Sequence, residues 1–350
     1  MGYNLPNLTS VLLKYMSISQ NNLPDRNLAL ELARATEAGA LASARWLGKG
    51  NKIAADQSAV DAMRLVLNTI FMRGTVVIGE GEKDEAPMLY NSENLGNAWN
   101  VALDGEVNIP ECDIAVDPVD GTTLTAHGKP GAISVIAASG KGTMFQPGSA
   151  VYMQKIAVGP EAKNLIDPYA PVKDNLKAVA KAFGDHIEDV TAIVLNRPRH
   201  DSLVKAIREA GARIQFIDDG DVEGAIATAR QDSGANILFG TGGTPEGVIA
   251  ACAMKSLGGA LFGRLYARNE EEQKAIEAEG NDTETILTEH DLVKSDDVFF
   301  AATAISKGSF LEGVKYSGNG ATTQSIVMRS KSGTIRVITS EHNWHKLTQY

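Results

Sequence analysis

Two aspartates three residues apart, Asp117 and Asp120, close the apolar run Ile114-Ala115-Val116 and are followed at once by Gly121, Thr122 and Thr123. Hard divalent cations such as Mg²⁺ take oxygen ligands and sit between one or two carboxylates and a substrate phosphate. A glycine here lets the backbone turn closely beneath a ligand, and the threonines offer hydroxyls and amides on the same side. Metal-assisted phosphate chemistry is one reading. A plain turn is the other, because Asp-Pro and Asp-Gly are common turn formers. A second acidic turn, with Glu80, Glu82, Asp84 and Glu85, follows the β-branched run at 75–78. Most acids in such clusters are solvated surface groups, so Glu80, nearest the strand end, is the candidate ligand. If Glu80, Asp117, Asp120 and Glu246 converged without a counter-charge, each pair at 4 Å would cost roughly 4 kcal/mol at an effective dielectric of 20. Convergence therefore requires a cation.

Arg197 and Arg199 stand two apart just after an apolar run, a spacing that suits forked hydrogen bonds to phosphate oxygens and equally a helix-entry pair in surface salt bridges. Lys52 and Lys155 are further cationic candidates. Gly240-Thr241-Gly242 invites a dinucleotide reading, but the third glycine of G-x-G-x-x-G would fall at Pro245, so that fingerprint fails. Pro245 suits a first helical position with Thr244 as N-cap, leaving amides free to face an anion. The histidines are too scattered for a zinc set, and no P-loop motif is present.

These residues need elements to position them. Apolar spacing predicts a helix over 27–47, with Asp25 as its cap and Gly48 as its stop, and a second over 57–71, for which Asp56 is either cap or ligand. Strands at 75–78 and 113–116 both end on carboxylates. The second half alternates regularly: strand 191–195 and a helix to 210, strand 213–217 and a helix to 229, strand 236–239 and a helix to 254. Such alternation means βαβ units and a parallel sheet, whose ligands collect beyond the carboxyl ends of the strands. Those ends carry Arg197 and Arg199, the turn Asp218-Asp219-Gly220-Asp221, and the glycine-rich turn with Glu246. A Glu-rich stretch over 269–282 reads as a solvated helix, and 298–304 and 325–328 as strands returning to the core. The halves divide near 165–190.

At 350 residues the chain is long enough for two packed subdomains or one large layered α/β unit. Its 43% hydrophobic and 22% charged residues are those of an ordinary soluble protein. A net charge of -10 argues against nucleic-acid binding, so an anionic substrate would need a locally basic site. Cys112 and Cys252 lie in apolar runs and read as buried small hydrophobes in a reducing cytoplasm. The first twenty residues lack the pattern of a secretory leader, and no apolar run approaches the ~18 residues of a membrane span.

Asp117-Pro118-Val119-Asp120-Gly121-Thr122 resembles the signature of the lithium-sensitive, metal-dependent sugar and inositol phosphatases. The motifs at 78–90, Arg197-Pro198-Arg199-His200, Asp219-Gly220-Asp221 and Gly242-Gly243-Thr244-Pro245-Glu246-Gly247 narrow the resemblance to class II fructose-1,6-bisphosphatases, from about Asp25 to the C-terminus. The resemblance implies a layered α/β/α/β/α sandwich: an extension over 1–24, a metal- and phosphate-binding subdomain over 25–185, and a sugar-bisphosphate-binding subdomain over 186–350. By the same resemblance Asp56, Glu80, Asp117, Asp120 and Glu246 match ligands of Mg²⁺ or Mn²⁺. Asp120, Gly121, Thr122, Tyr152, Arg197, Pro198, Arg199, Asp219, Gly220, Asp221 and Gly243 match substrate contacts. Thr122, with Asp117 and Glu80, matches the catalytic set, the threonine hydroxyl orienting or activating the attacking water. The expected reaction is hydrolysis of the 1-phosphate of fructose 1,6-bisphosphate in gluconeogenesis, by a dimer or tetramer without membrane or nucleic-acid partners; the rival substrate is sedoheptulose 1,7-bisphosphate. Some members carry Glu where this chain has Asp120, and the segment Lys52-Ile53-Ala54-Ala55-Asp56-Gln57 departs from the commoner pattern.

Overall fold

Two mixed β-sheets separated by a buried helix organise the chain, which the computed structural model describes over residues 27–79, 89–101 and 109–347. The first helix, α1, spans Leu28–Ser43 and the second, α2, spans Lys52–Leu67. Their caps are asparagines, Asn27 accepting from the Ala29 amide and Asn51 from the Ala54 amide. Asp25 lies outside the described residues. Asp56 is therefore not a cap: it sits a full turn inside α2, because Asn51 starts that helix five residues earlier than apolar spacing alone suggests.

Strands β1 (Arg73–Ile78), β2 (Asn94–Leu95), β3 (Glu111–Asp120) and β4 (Ile133–Gly140) begin the first sheet, with α3 (Thr122–His127) between the last two. The chain then builds the second sheet from β5 (Tyr152–Val158), β6 (Thr191–Leu195), β7 (Arg213–Ile217), β8 (Ile237–Gly243), β9 (Ala260–Tyr266) and β10 (Leu287–Thr288). Helices α4 (Val172–Phe183), α5 (Asp201–Ala210), α6 (Asp221–Ala227), α7 (Thr244–Leu257) and the mostly exposed α8 (Glu270–Ala278) connect them. Finally β11 (Val298–Ala304), β12 (Lys315–Ser317), β13 (Gly320–Arg329) and β14 (Thr334–Asn343) return to the first sheet. Its order is β12-β13-β11-β4-β3-β1-β2 with β14 on β13; the second runs β10-β9-β5-β8-β6-β7. The chain changes sheet between Gly140 and Tyr152, upstream of the stretch at 165–190.

Alternation along the strands assigns the layers. In β4, Ile136 and Ala138 pack with α1 and α2, while Ile133, Val135 and Ala137 pack with α7. In β11, Phe299 and Ala301 take the first side, and Phe300, Ala302 and Ala304 the second. Strands covered on both faces read as continuous apolar runs. The far face of the second sheet receives Leu176 and Val179 of α4 and Ile207 of α5 against Ala192, Val194, Ile237 and Phe239. The result is the expected α/β/α/β/α layering. The sheet is only partly parallel: β6 runs parallel to β7 and β8, but β5 runs antiparallel to β8 and β9. No helix among the described residues is long and apolar enough to cross a membrane.

Candidate active site

The carboxyl end of β3 is the first wall of the site. The strand does not stop at Val116 but continues through Asp120, slipping register against β4 between Asp117 and Asp120. The slip lets a proline sit in the strand and places both aspartates at its end, each nearly buried. Asp117 Oδ1 accepts the Val119 amide at 2.9 Å. Gly121 then takes φ 98°, a value that costs other residues strain, and α3 starts at Thr122. Lys52 Nζ of α2 donates to Thr123 Oγ1 at 2.8 Å, so the threonine beside Thr122 is the one held by that lysine.

The turn after β7 and the start of α7 form the second wall. The Thr123 amide donates to Asp219 Oδ2 at 3.2 Å, and a Cβ placed on Gly220 would lie 3.7 Å from Asp120 Oδ2. Asp221 is buried and pairs with buried Lys155 of β5 at 2.5 Å, and Lys155 Nζ also donates to the Gly243 carbonyl at 3.0 Å. Gly243 leaves the space Glu246 needs, since a Cβ there would stand 1.8 Å from Glu246 Oε2. The N-cap of α7 is Gly243 rather than Thr244, which is its first residue and fully buried; Pro245 follows in the opening turn.

Electrostatics follow from this crowding. Asp120 is pushed well above the usual carboxylate range, first by burial and then by Asp117, Asp221, Glu246 and Asp219. Glu246 is raised too, by burial and then by Asp221, with Lys155 opposing. Asp120 Oδ2 and Glu246 Oε2 are buried with no hydrogen-bond partner among the described residues. Buried polar atoms are nearly always paired, so two orphaned acceptors in one acidic cluster mark a place for a cation. The donors are all oxygens, which suits Mg²⁺ or Mn²⁺. Among the described residues no three acidic, histidine or cysteine side chains close on one point tightly enough to hold an ion as they stand. Glu80, expected as a fifth ligand, lies outside the described residues.

Beyond the carboxylates the chain presents cations. Arg197 is half-buried and donates to the Asn196 carbonyl at 3.0 Å; Arg199 grips the Thr241 carbonyl with Nε and Nη2 at 3.0 and 2.6 Å. Neither is in a salt bridge among the described residues, which disfavours the surface-pair reading of these arginines. Pro198 opens the short turn between them and is exposed. Half-buried Tyr152 stands between the Arg199 and Arg268 guanidinium groups, at 5.5 and 5.2 Å from its ring.

Lys155 and His200 were harder to weigh from sequence. The signal for Lys155 is its phase: Met153 and Ala157, two positions either side on β5, face the apolar interior, so a lysine between them has a charged partner. His200 is buried and neutral. Its Nδ1 donates to the Leu195 carbonyl at 2.7 Å and its Nε2 accepts the Thr241 amide at 2.8 Å, tying β6 to the end of β8.

Buried acids at strand ends, a cation requirement and guanidinium groups nearby are the equipment of a phosphate-ester hydrolase. Residues 26–342 match the bacterial fructose-1,6-bisphosphatase family encoded by glpX, and the chain belongs to that family. Similar proteins include fructose-1,6-bisphosphatase 1 class 2 of Escherichia coli strain K12, 44% identical over 330 residues, covering 91% of this chain and 95% of the relative. The class 2 fructose-1,6-bisphosphatase of Shigella flexneri shows the same identity and coverage.

Proposed function

We propose that this chain hydrolyses the 1-phosphate of D-fructose 1,6-bisphosphate to fructose 6-phosphate and phosphate, as a step of gluconeogenesis. The observation that supports the reading is the crowding of Asp117 and Glu246 about buried Asp120, with Asp120 Oδ2 and Glu246 Oε2 left without hydrogen-bond partners among the described residues. Family membership supports the substrate. In this reading Asp56, Glu80, Asp117, Asp120 and Glu246 hold Mg²⁺ or Mn²⁺. Such ions polarise phosphate oxygens and lower the pKa of water. Thr122 orients the attacking water from the first turn of α3. Asp219, Gly220, Asp221, Gly121, Tyr152 and Gly243 position the sugar, and Pro198 fixes the spacing of Arg197 and Arg199, which hold the phosphate that does not react. Binding the remote phosphate positions the reacting one, so a substrate lacking it turns over more slowly.

The test is phosphate release from fructose 1,6-bisphosphate and fructose 1-phosphate, with Mg²⁺, Mn²⁺ or chelator, for the wild type and Arg199→Ala. The expected result is metal-dependent release, with the variant losing more on the bisphosphate than on the monophosphate. Equal loss on both would remove the grip assigned to Arg199. The reading includes a cytoplasmic location, suited to two free buried thiols. It also includes a dimer or tetramer, for which the outer side of β14, with Ile335 and Val337 exposed, is a contact surface to examine.

A further inference from the structure

A recess of about 340 Å³ opens on the far side of the second sheet, between β5, β8, β9 and the approach to α4. That size lies within the range of small-molecule sites. Side-chain alternation separates it from the acidic cluster: Met153, Ala157, Leu261 and Leu265 face α7, so Gln154 and Ile156 of β5 and Phe262 and Arg264 of β9 face the other way. None of Asp117, Asp120, Asp221 and Glu246 lines it.

Its charge is one-sided. Arg199 and Arg264 stand in its wall, and no aspartate or glutamate among the described residues does. In a chain of net charge -10 this is not what composition alone would supply. Arg264 donates to a neutral acceptor, Gln154 Oε1 at 2.8 Å, and Arg199 to the Thr241 carbonyl, so both guanidinium groups keep donors for an incoming anion. Two other charged or titratable groups in the wall are already engaged, Lys155 by Asp221 and His200 by the Leu195 carbonyl and Thr241 amide. Ile156, Phe239 and Phe262 supply apolar surface beside neutral polar groups such as Ser202 and Asn175.

We propose that this recess is a second binding site, for a small organic anion whose acidic group meets Arg199 and Arg264 and whose flat or apolar body lies on Ile156, Phe239 and Phe262. Because Arg199 also serves the substrate grip proposed above, occupancy is felt at the active site; the binding itself does not depend on that reading. The probe is 8-anilinonaphthalene-1-sulfonate, an aromatic anion whose emission rises in apolar surroundings. It is titrated into the folded enzyme, into Arg264→Gln, and into Ser202→Trp, which places an indole at an exposed position of the rim. The expected result is saturable binding to the wild type. Arg264→Gln should bind about tenfold more weakly, the loss anticipated for one charge-assisted hydrogen bond. Ser202→Trp should also bind more weakly, while both variants release phosphate at the wild-type rate. Because Arg199 is shared with the substrate grip, saturating fructose 1,6-bisphosphate should weaken dye binding without abolishing it. Absence of saturable binding, unchanged binding in both variants, or one-for-one displacement by the bisphosphate would overturn the proposal, the last by making the recess part of the substrate site. Loss of phosphate release alone would leave the dye titration intact and bear only on the phosphatase reading.

Discussion

Asp120 is where burial and like charge act together, and two consequences separate its structural from its chemical role. In Asp120→Asn the carboxylate is replaced by a neutral group of nearly the same shape. Phosphate release should fall by at least about 100-fold, the upper end of what changes in the shell around a metal cost. In chelator, however, the variant should melt higher than the wild type, because one of the mutually repelling acids is gone. A lower melting temperature in chelator would mean that Asp120 is held by a structural partner. Lys155→Met should behave oppositely: breaking its buried pair with Asp221 costs about 3–5 kcal/mol in denaturant unfolding, and adding Asp221→Asn should recover part of that. The acids at the strand ends were legible in the sequence because they interrupt apolar runs. Asp56 was ambiguous because an acid at a helix start and an acid one turn in look alike until the capping asparagine is identified. The two thiols were also legible: burial pushes each up to about 12, so they titrate as inert core groups.

At the scale of elements, the site depends on three chain reversals: β3 into α3, β7 into α6, and β8 into α7. Gly243 tests the last. A methyl group there collides with the Glu246 carboxylate rather than with backbone, so Gly243→Ala should cut phosphate release sharply while leaving the far-ultraviolet circular dichroism unchanged. Loss of both together would show that the junction, not the acid, had failed. The strands of the βαβ segment at 191–195 and 213–217 coincide with those the sequence predicts, because short segments rich in β-branched and aromatic residues and bounded by polar turns leave little choice. The sequence predicts that the strand before Asp120 ends at Val116, since proline normally argues against a strand and only the slipped register admits it. Strands β4, β5, β9 and β14 were not distinguished. Two of them, β5 and β9, carry the antiparallel pairings that make the second sheet mixed, and pairing between antiparallel neighbours leaves no mark on composition.

The whole molecule adds a ligand-linked and a proton-linked stability. A divalent cation that binds the folded chain alone stabilises it by mass action, so the melting temperature should climb with Mg²⁺ concentration; at 100 times the dissociation constant the gain is about 2.7 kcal/mol. A melting temperature indifferent to Mg²⁺, Mn²⁺ and chelator would remove the metal from the proposed function. Glu223, in α6, is buried and raised chiefly by that burial, although Ser309 donates to its Oε1 through both amide and hydroxyl. Its folded form holds a proton more tightly than the unfolded chain does, so stability is lost as pH rises from the ordinary glutamate value through the raised one. Glu223→Gln should therefore gain in melting temperature over the wild type as pH increases, and a constant gap across that window would show that Glu223 does not titrate there. The layering was inferred through resemblance and is explained by burial on both faces of β4 and β11; the partnership of those two strands, from distant parts of the chain, has no local signal. That partnership also has a timing. Because β11 and β13 complete the sheet that carries Asp117 and Asp120, a nascent chain halted before residue 298 leaves β4 with an open, apolar edge. Ribosome-bound intermediates of this protein should thus lean on chaperones until its last fifty residues emerge, and clipping those residues should yield aggregates instead of a smaller enzyme.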